Sequence, residues 1–120
     1  MRRPLLLPKA FLVVSALFVG CVIVQLFLAG LGVFDDPRAF LTHRDFGYLF
    51  GWLAVGMLVL AIVGRLPRRQ LLLVVAIIVA FALQSVLIAL RTDALMLAAL
   101  HPLNGMLISC LASRSLATRG

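Results

Sequence analysis

The stretch "QLLLVVAIIVAFALQSVLIAL", Gln70 to Leu90, carries no charged residue. As a helix rising 1.5 Å per residue it is about 30 Å long, the thickness of a bilayer's hydrocarbon core. Inside lipid no water can bond the backbone N–H and C=O groups, so a spanning segment of this kind must be helical. Three more segments read the same way: Ala10–Leu31, Ala39–Gly64 and Ala94–Ala112. The 120-residue chain is 64% hydrophobic with a mean hydropathy of +1.19. A soluble domain of this size needs more polar residues than that to cover its surface. The expected fold is all-α: one domain, residues 1–120, of four membrane-spanning helices at about 10–31, 39–64, 70–90 and 94–112. The short links between them force antiparallel neighbours, hence an up-down-up-down bundle.

A net charge of +7 would suit a nucleic-acid binder, but the basic residues sit at the ends of apolar runs. Arg2, Arg3, Lys9, Arg65, Arg68, Arg69, Arg114 and Arg119 share one side with no acid. Arg38, Arg44 and Arg91 lie on the other with Asp35, Asp36, Asp45 and Asp93. The positive-inside rule then places both termini in the cytoplasm. The excess of Arg over Lys and the Ala/Leu bias point to a GC-rich genome and a bacterial inner membrane. "MRRPLLLPKAFLVVSALFVGC" has the shape of a signal peptide, but more apolar sequence follows Cys21, so helix one is read as retained. Cys21 and Cys110 lie in different helices without metal-binding spacing and read as buried, inert thiols.

At the helix ends, Asp36–Pro37 offers an N-cap and first-turn proline for helix two. Thr92 or Asp93 is placed to cap helix four. A faint internal repeat runs through the chain: a shift of 58 lays His43 on His101 and Gly47 on Gly105, and a shift of 59 lays Gln25 on Gln84.

Those residues also share a depth. Gln25 is seven residues before Gly32, Gln84 seven before Arg91, His43 six after Pro37 and His101 eight after Asp93. All four thus lie about 9–12 Å inside the same end of the bundle, one from each helix. Polar side chains at such depth turn inward and find partners. The plainer reading is a hydrogen-bonded layer that glues four helices together. The sharper one is that His43 and His101 ligate something between them. Zinc wants three or four protein ligands, and an intramembrane proton relay normally includes an acid; neither set is present at this depth. Haem iron accepts two axial histidines and takes its other ligands from the porphyrin.

Glycines four residues after each histidine, Gly47 and Gly105, then clear the helix face on which a macrocycle would lie. Gly51 continues that stripe, although "GYLFG" is also a GxxxG helix-packing motif and a candidate homodimer contact. Arg44, Arg91 and Arg38 are available to haem propionates or simply snorkel to the interface. Gln25 and Gln84 are candidates to bond the imidazoles or a propionate. Pro102 should kink helix four. Tyr48 and Trp52 read equally as interfacial anchors or haem-edge contacts.

At "THRDFGYLFG" and "ALHPLNGML" the chain resembles one four-helix half of the haem A synthases and, more distantly, the cytochrome b561 type of bundle. It also resembles small uncharacterised bacterial four-helix membrane proteins with a His-Arg start to helix two and His-Pro-x-Asn in helix four. The resemblance implies axial haem ligation by His43 and His101. The chain departs from haem A synthases where they carry glutamates three and six residues before the histidine: Phe40 and Pro37 stand there. The outer cysteine pair of some members and the second half-bundle are also missing, which argues against their chemistry.

The expectation is a small, non-enzymatic b-type cytochrome with one haem b, serving electron transfer or haem handling with a redox partner protein, a quinol or a second copy. The alternative is a non-haem anchor or assembly subunit. A small multidrug transporter has this length, but relies on a membrane-embedded glutamate, and this chain has no glutamate.

Overall fold

The computed structural model describes residues 6–117; Arg2, Arg3 and Arg119, counted above in the basic flank, lie outside them. Every apolar segment is helical: α1 (Leu6–Phe34), α2 (Ala39–Val63), α3 (Arg68–Ala89), and the short α4 (Leu95–Ala98) followed by α5 (Leu100–Ser115). Among the described residues there is no strand. Four spans, with α4 and α5 forming the fourth as Leu95–Ser115, are long and apolar enough to cross a membrane. Helix α1 begins and ends outside the expected 10–31: Pro8 falls in its first turn, where a missing N–H costs no helical bond, and the helix continues through Gly30 and Gly32 to Phe34.

The ends follow from local chemistry. The expected Asp36 cap is displaced: Arg38 stands at the N-cap of α2 with no side-chain cap. Asp36 Oδ1 accepts the Arg38 N–H at 2.9 Å, closing the turn around Pro37 just ahead of the helix. Hydrogen bonds from Arg38, side chain first, hold the Asp36 carboxyl below the usual carboxylate range. The expected cap on the fourth span does not form. Thr92 donates to the Asp93 carboxylate at 3.1 Å instead, and Ala94 precedes α4 with no side-chain cap. The expected kink takes the form of a break at Ala99, between α4 and α5. Pro102 has no N–H to give Ala98 O, so the regular helical ladder fails one turn ahead of the proline.

Helix α2 closes with paired bonds, Leu66 N–H to Ala61 O at 3.0 Å and Arg65 N–H to Ile62 O at 3.1 Å. This is a Schellman motif, which wants its residue after the cap in the left-handed region, usually as glycine. Here that residue is Arg65, at φ +49°. The neighbouring Gly64 meets a different need: a Cβ there would lie 2.7 Å from Leu60 O and 3.3 Å from Leu7 Cβ, so glycine lets α1 approach the turn. Across the same end, Arg69 donates to Ala117 O at 2.9 Å and Gln70 to Ser115 O at 3.3 Å, satisfying carbonyls that α5 leaves unpaired.

Helix α1 packs on α2 and α5, and α3 packs on α2 and α5. Helices α2 and α5 therefore face each other across one diagonal of the bundle, and α1 and α3 across the other. The core is centred on Phe11, Phe18, Met57, Val74 and Ile77. Burial repeats with the register found in the sequence. Phe11, Ser15 and Phe18 correspond to Gln70, Val74 and Ile77; Phe50, Ala54 and Met57 correspond to Ile108, Ala112 and Ser115. Two α-hairpins of one design thus sit about a pseudo-twofold axis along the bundle.

A left-handed non-glycine residue costs about 1–2 kcal/mol, and glycine returns part of that relief as unfolded-state entropy. Arg65→Gly should therefore raise stability by about 0.5–1 kcal/mol in thermal unfolding of the detergent-solubilised protein.

Candidate functional site

The four polar residues expected to share a depth are brought together. On α2, His43 Nδ1 lies 3.0 Å from the backbone oxygen of Gln25 on α1. On α5, His101 Nδ1 lies 3.1 Å from the backbone oxygen of Gln84 on α3. A carbonyl oxygen only accepts, so both Nδ1 atoms carry the proton. In the neutral imidazole each Nε2 then keeps its lone pair, and neither Nε2 has a hydrogen-bond partner among the described residues. The two half-buried rings face across the diagonal with centroids 6.3 Å apart and planes inclined by 60°.

The glutamine amides complete the layer, and here the two halves differ. Gln25 Nε2 donates to His43 O at 2.8 Å, while Gln25 Oε1 is buried without a partner. In the other half Asn104 donates to Gln84 Oε1 and to Ala80 O, both at 2.7 Å. The repeat places Phe46 where Asn104 stands, which is why Gln25 lacks the corresponding donor. Asn104 escaped the sequence reading as a site residue. The signal was present, since a polar residue three positions after His101 lies on the same helix face.

The glycines have a different neighbour from the one expected. A Cβ on Gly47 would lie 2.7 Å from Gln25 Nε2, and one on Gly105 3.3 Å from Gln84 Nε2. The histidine–glycine spacing thus makes room for the glutamine of the adjacent helix. Gly51 is likewise turned into the bundle, where its Cβ would meet the Phe81 ring at 2.9 Å. Both glycines of "GYLFG" are thereby occupied within the chain.

An aromatic floor closes the site on its inner side. Phe18, Phe50 and Phe81 pack edge-to-face or tilted, with centroids 5.3 to 6.1 Å apart. Phe50 is two turns, about 10 Å, beyond His43 along α2. On the opposite side Phe40 covers His43 edge-on, centroid to centroid 6.3 Å, and packs into Gly32. The residue at the corresponding place before His101 is Ala98.

The arginines do not join the layer. Arg38 pairs with Asp36 at 2.7 Å and Arg44 with Asp45 at 2.8 Å, all four side chains solvent-facing. Arg91 donates to Ile88 O at 3.1 Å, at the end of α3. Tyr48 and Trp52 are 61% and 72% exposed on the outer face of α2, away from the histidines. Cys21 is half-buried, Cys110 is exposed, and both are free thiols. Among the described residues no group of three or more His, Cys, Asp or Glu lies close enough to hold a metal ion.

Fold and site define a class: a multi-pass helical membrane protein with a histidine pair between the second and fourth spans of a four-span bundle. The chain belongs to a family of unknown function, DUF6220, whose model matches residues 25–92. That match begins at Gln25 and includes His43 and Gln84, while His101 and Asn104 fall beyond it. No curated protein and no solved structure matches the chain, so the resemblance to haem A synthases and to cytochrome b561 finds no support there.

Replacing Asn104 by leucine would leave Gln84 Oε1 as unpaired as Gln25 Oε1 already is, while Ala80 O keeps its own helix. The loss should be about 1 kcal/mol, typical of interhelical hydrogen bonds in membranes, read as a lower unfolding midpoint in detergent.

Proposed function

We propose that this protein is a small b-type cytochrome in which His43 and His101 hold one haem b as its two axial ligands. The observation that carries the reading is the pair of imidazoles across the α2–α5 diagonal. Each is fixed by its Nδ1–H on a backbone carbonyl, so each offers the Nε2 lone pair that iron requires. Two metal–nitrogen bonds of about 2.1 Å, with about 1.1 Å from each nitrogen to its ring centre, separate the centroids by about 6.4 Å. The observed separation is 6.3 Å. Haem so ligated supplies one-electron chemistry and offers no open position to a substrate, so electron transfer or haem handling is favoured over catalysis.

The rest of the chain supports that role. With Phe18, Phe50 and Phe81 on the inner side, Arg38, Arg44 and Arg91 at the other end would be the residues available to hold the propionates. Of these, Arg91 alone bonds a backbone carbonyl instead of an acid, which makes it the best partner for a propionate. The basic end of the bundle belongs in the cytoplasm by the positive-inside rule, which sets the haem in the outer half of a bacterial inner membrane. A redox partner protein or a quinol then has to meet it from outside.

One observation favours a second reading. The Gln25–His43 and Gln84–Asn104 bonds satisfy most of the layer without any ligand, as they would in a non-haem anchor or assembly subunit. Absorption spectra of the detergent-purified protein, expressed with a haem supply, separate the two. The cytochrome predicts a Soret band that shifts on dithionite reduction and is lost in His43→Ala and in His101→Ala. A colourless protein that takes up no added haemin belongs to the second reading.

A further inference from the structure

The opposite end of the bundle carries a feature that the histidine site does not use. Leu7 packs at Gly64, which brings the first turn of α1, with Lys9, beside the α2–α3 turn. The bond from Arg69 to Ala117 O brings the end of α5, with Arg114, to the same place. Lys9, Arg65, Arg68, Arg69 and Arg114 are all exposed there. Among the described residues the four acids all lie at the other end, on the α1–α2 and α3–α4 links and the first turns of α2. Five exposed cations thus share one end of the bundle with no acid among the described residues there, and their summed field attracts anions.

Two local choices sharpen that imbalance. Arg68 and Arg69 open α3, where the helix dipole favours negative charge, and α3 has no acidic residue in its first turn and no side-chain cap. Arg65 occupies the one left-handed non-glycine position among the described residues. That conformation turns its side chain out of the helical path at a place where glycine would be relaxed, and strain retained in this way marks a position that serves something other than stability. The Schellman turn thus presents Arg65 and Arg68 three residues apart, on either side of Pro67, at the level where phospholipid headgroups lie.

We infer that the α2–α3 turn, with Arg65 and Arg68 as its principal contacts and Arg69, Lys9 and Arg114 around them, binds the phosphate of an anionic phospholipid at the cytoplasmic surface. Guanidinium groups suit this ligand because they pair bidentately with phosphate oxygens. The surrounding field adds attraction to a negative leaflet. The site is independent of the haem reading and would persist in a colourless protein.

The test compares thermal unfolding of the full chain in neutral detergent doped with phosphatidylglycerol, with phosphatidylcholine, or with inorganic phosphate at the same concentration. The native protein should gain several degrees from phosphatidylglycerol beyond any gain from phosphatidylcholine. Arg65→Asn/Arg68→Gln, in which asparagine tolerates the left-handed backbone, should lose at least half of that increment while melting normally in phosphatidylcholine. Should the double variant fail to fold, Arg68→Gln alone, an exposed change, must still lower the increment. An equal response to both lipids, an undiminished increment in the variants, or an effect reproduced by inorganic phosphate would overturn the proposal.

Discussion

An imidazole N–H inside a membrane has to find an acceptor within the protein, because hydrocarbon offers none and an unpaired buried donor costs several kcal/mol. This chain meets that need twice in the same way. A histidine on an even-numbered span gives its Nδ1 proton to the backbone oxygen of a glutamine on the preceding span. A helical carbonyl already accepts one bond from its own ladder, and its second lone pair takes the imidazole. The bond sets the tautomer, aims the ring and sends Nε2 away from the helix that supplied the acceptor. The layer depends on these two bonds: glycines 47 and 105 make room for the same glutamines, and Asn104 steadies one of them.

The pseudo-twofold arrangement gives the pair its geometry. A two-helix unit with one glutamine and one histidine puts its imidazole on the face that meets the next unit. Two such units about an axis along the bundle place the histidine-bearing spans on a diagonal, so no backbone intervenes between the rings. The departures from symmetry are confined to a few side chains, chiefly Phe46 against Asn104 and Phe40 against Ala98. They leave one glutamine oxygen unpaired. A ligand with two similar faces and one polar edge matches such a site better than a compact ion does, which is the physical content of the haem proposal.

The spans were legible in the sequence because their apolar runs are long and uninterrupted, and the polar layer because four isolated polar residues stand out against them. Counting depth from helix ends gave the right grouping although α1 extends past Gly32; the hydrogen bonds, not the counted ends, define the level. The diagonal placement of α2 and α5 was not legible. Helices that are apolar almost all round carry little directional pattern, and their order about the axis is decided by local fits such as Gly64 against Leu7 or Gly51 against Phe81. The pairing of Arg38 and Arg44 with nearby acids was not legible for a related reason. Neighbouring acids one or two residues away, Asp45 beside Arg44 and Asp36 near Arg38, claim them first, and sequence distance alone does not rank an adjacent carboxylate against a more remote ligand.

The basic end is a separate matter: it governs how the bundle sits in a bilayer and owes nothing to the histidines. What ties structure to function is the protonation pattern of the two rings. ¹⁵N magnetic resonance of histidine-labelled, haem-free protein in lipid reads it directly. The expected result is a proton on Nδ1 of both His43 and His101, each held on a glutamine backbone oxygen. Either ring protonated at Nε2 instead, or exchanging freely with solvent, would contradict it.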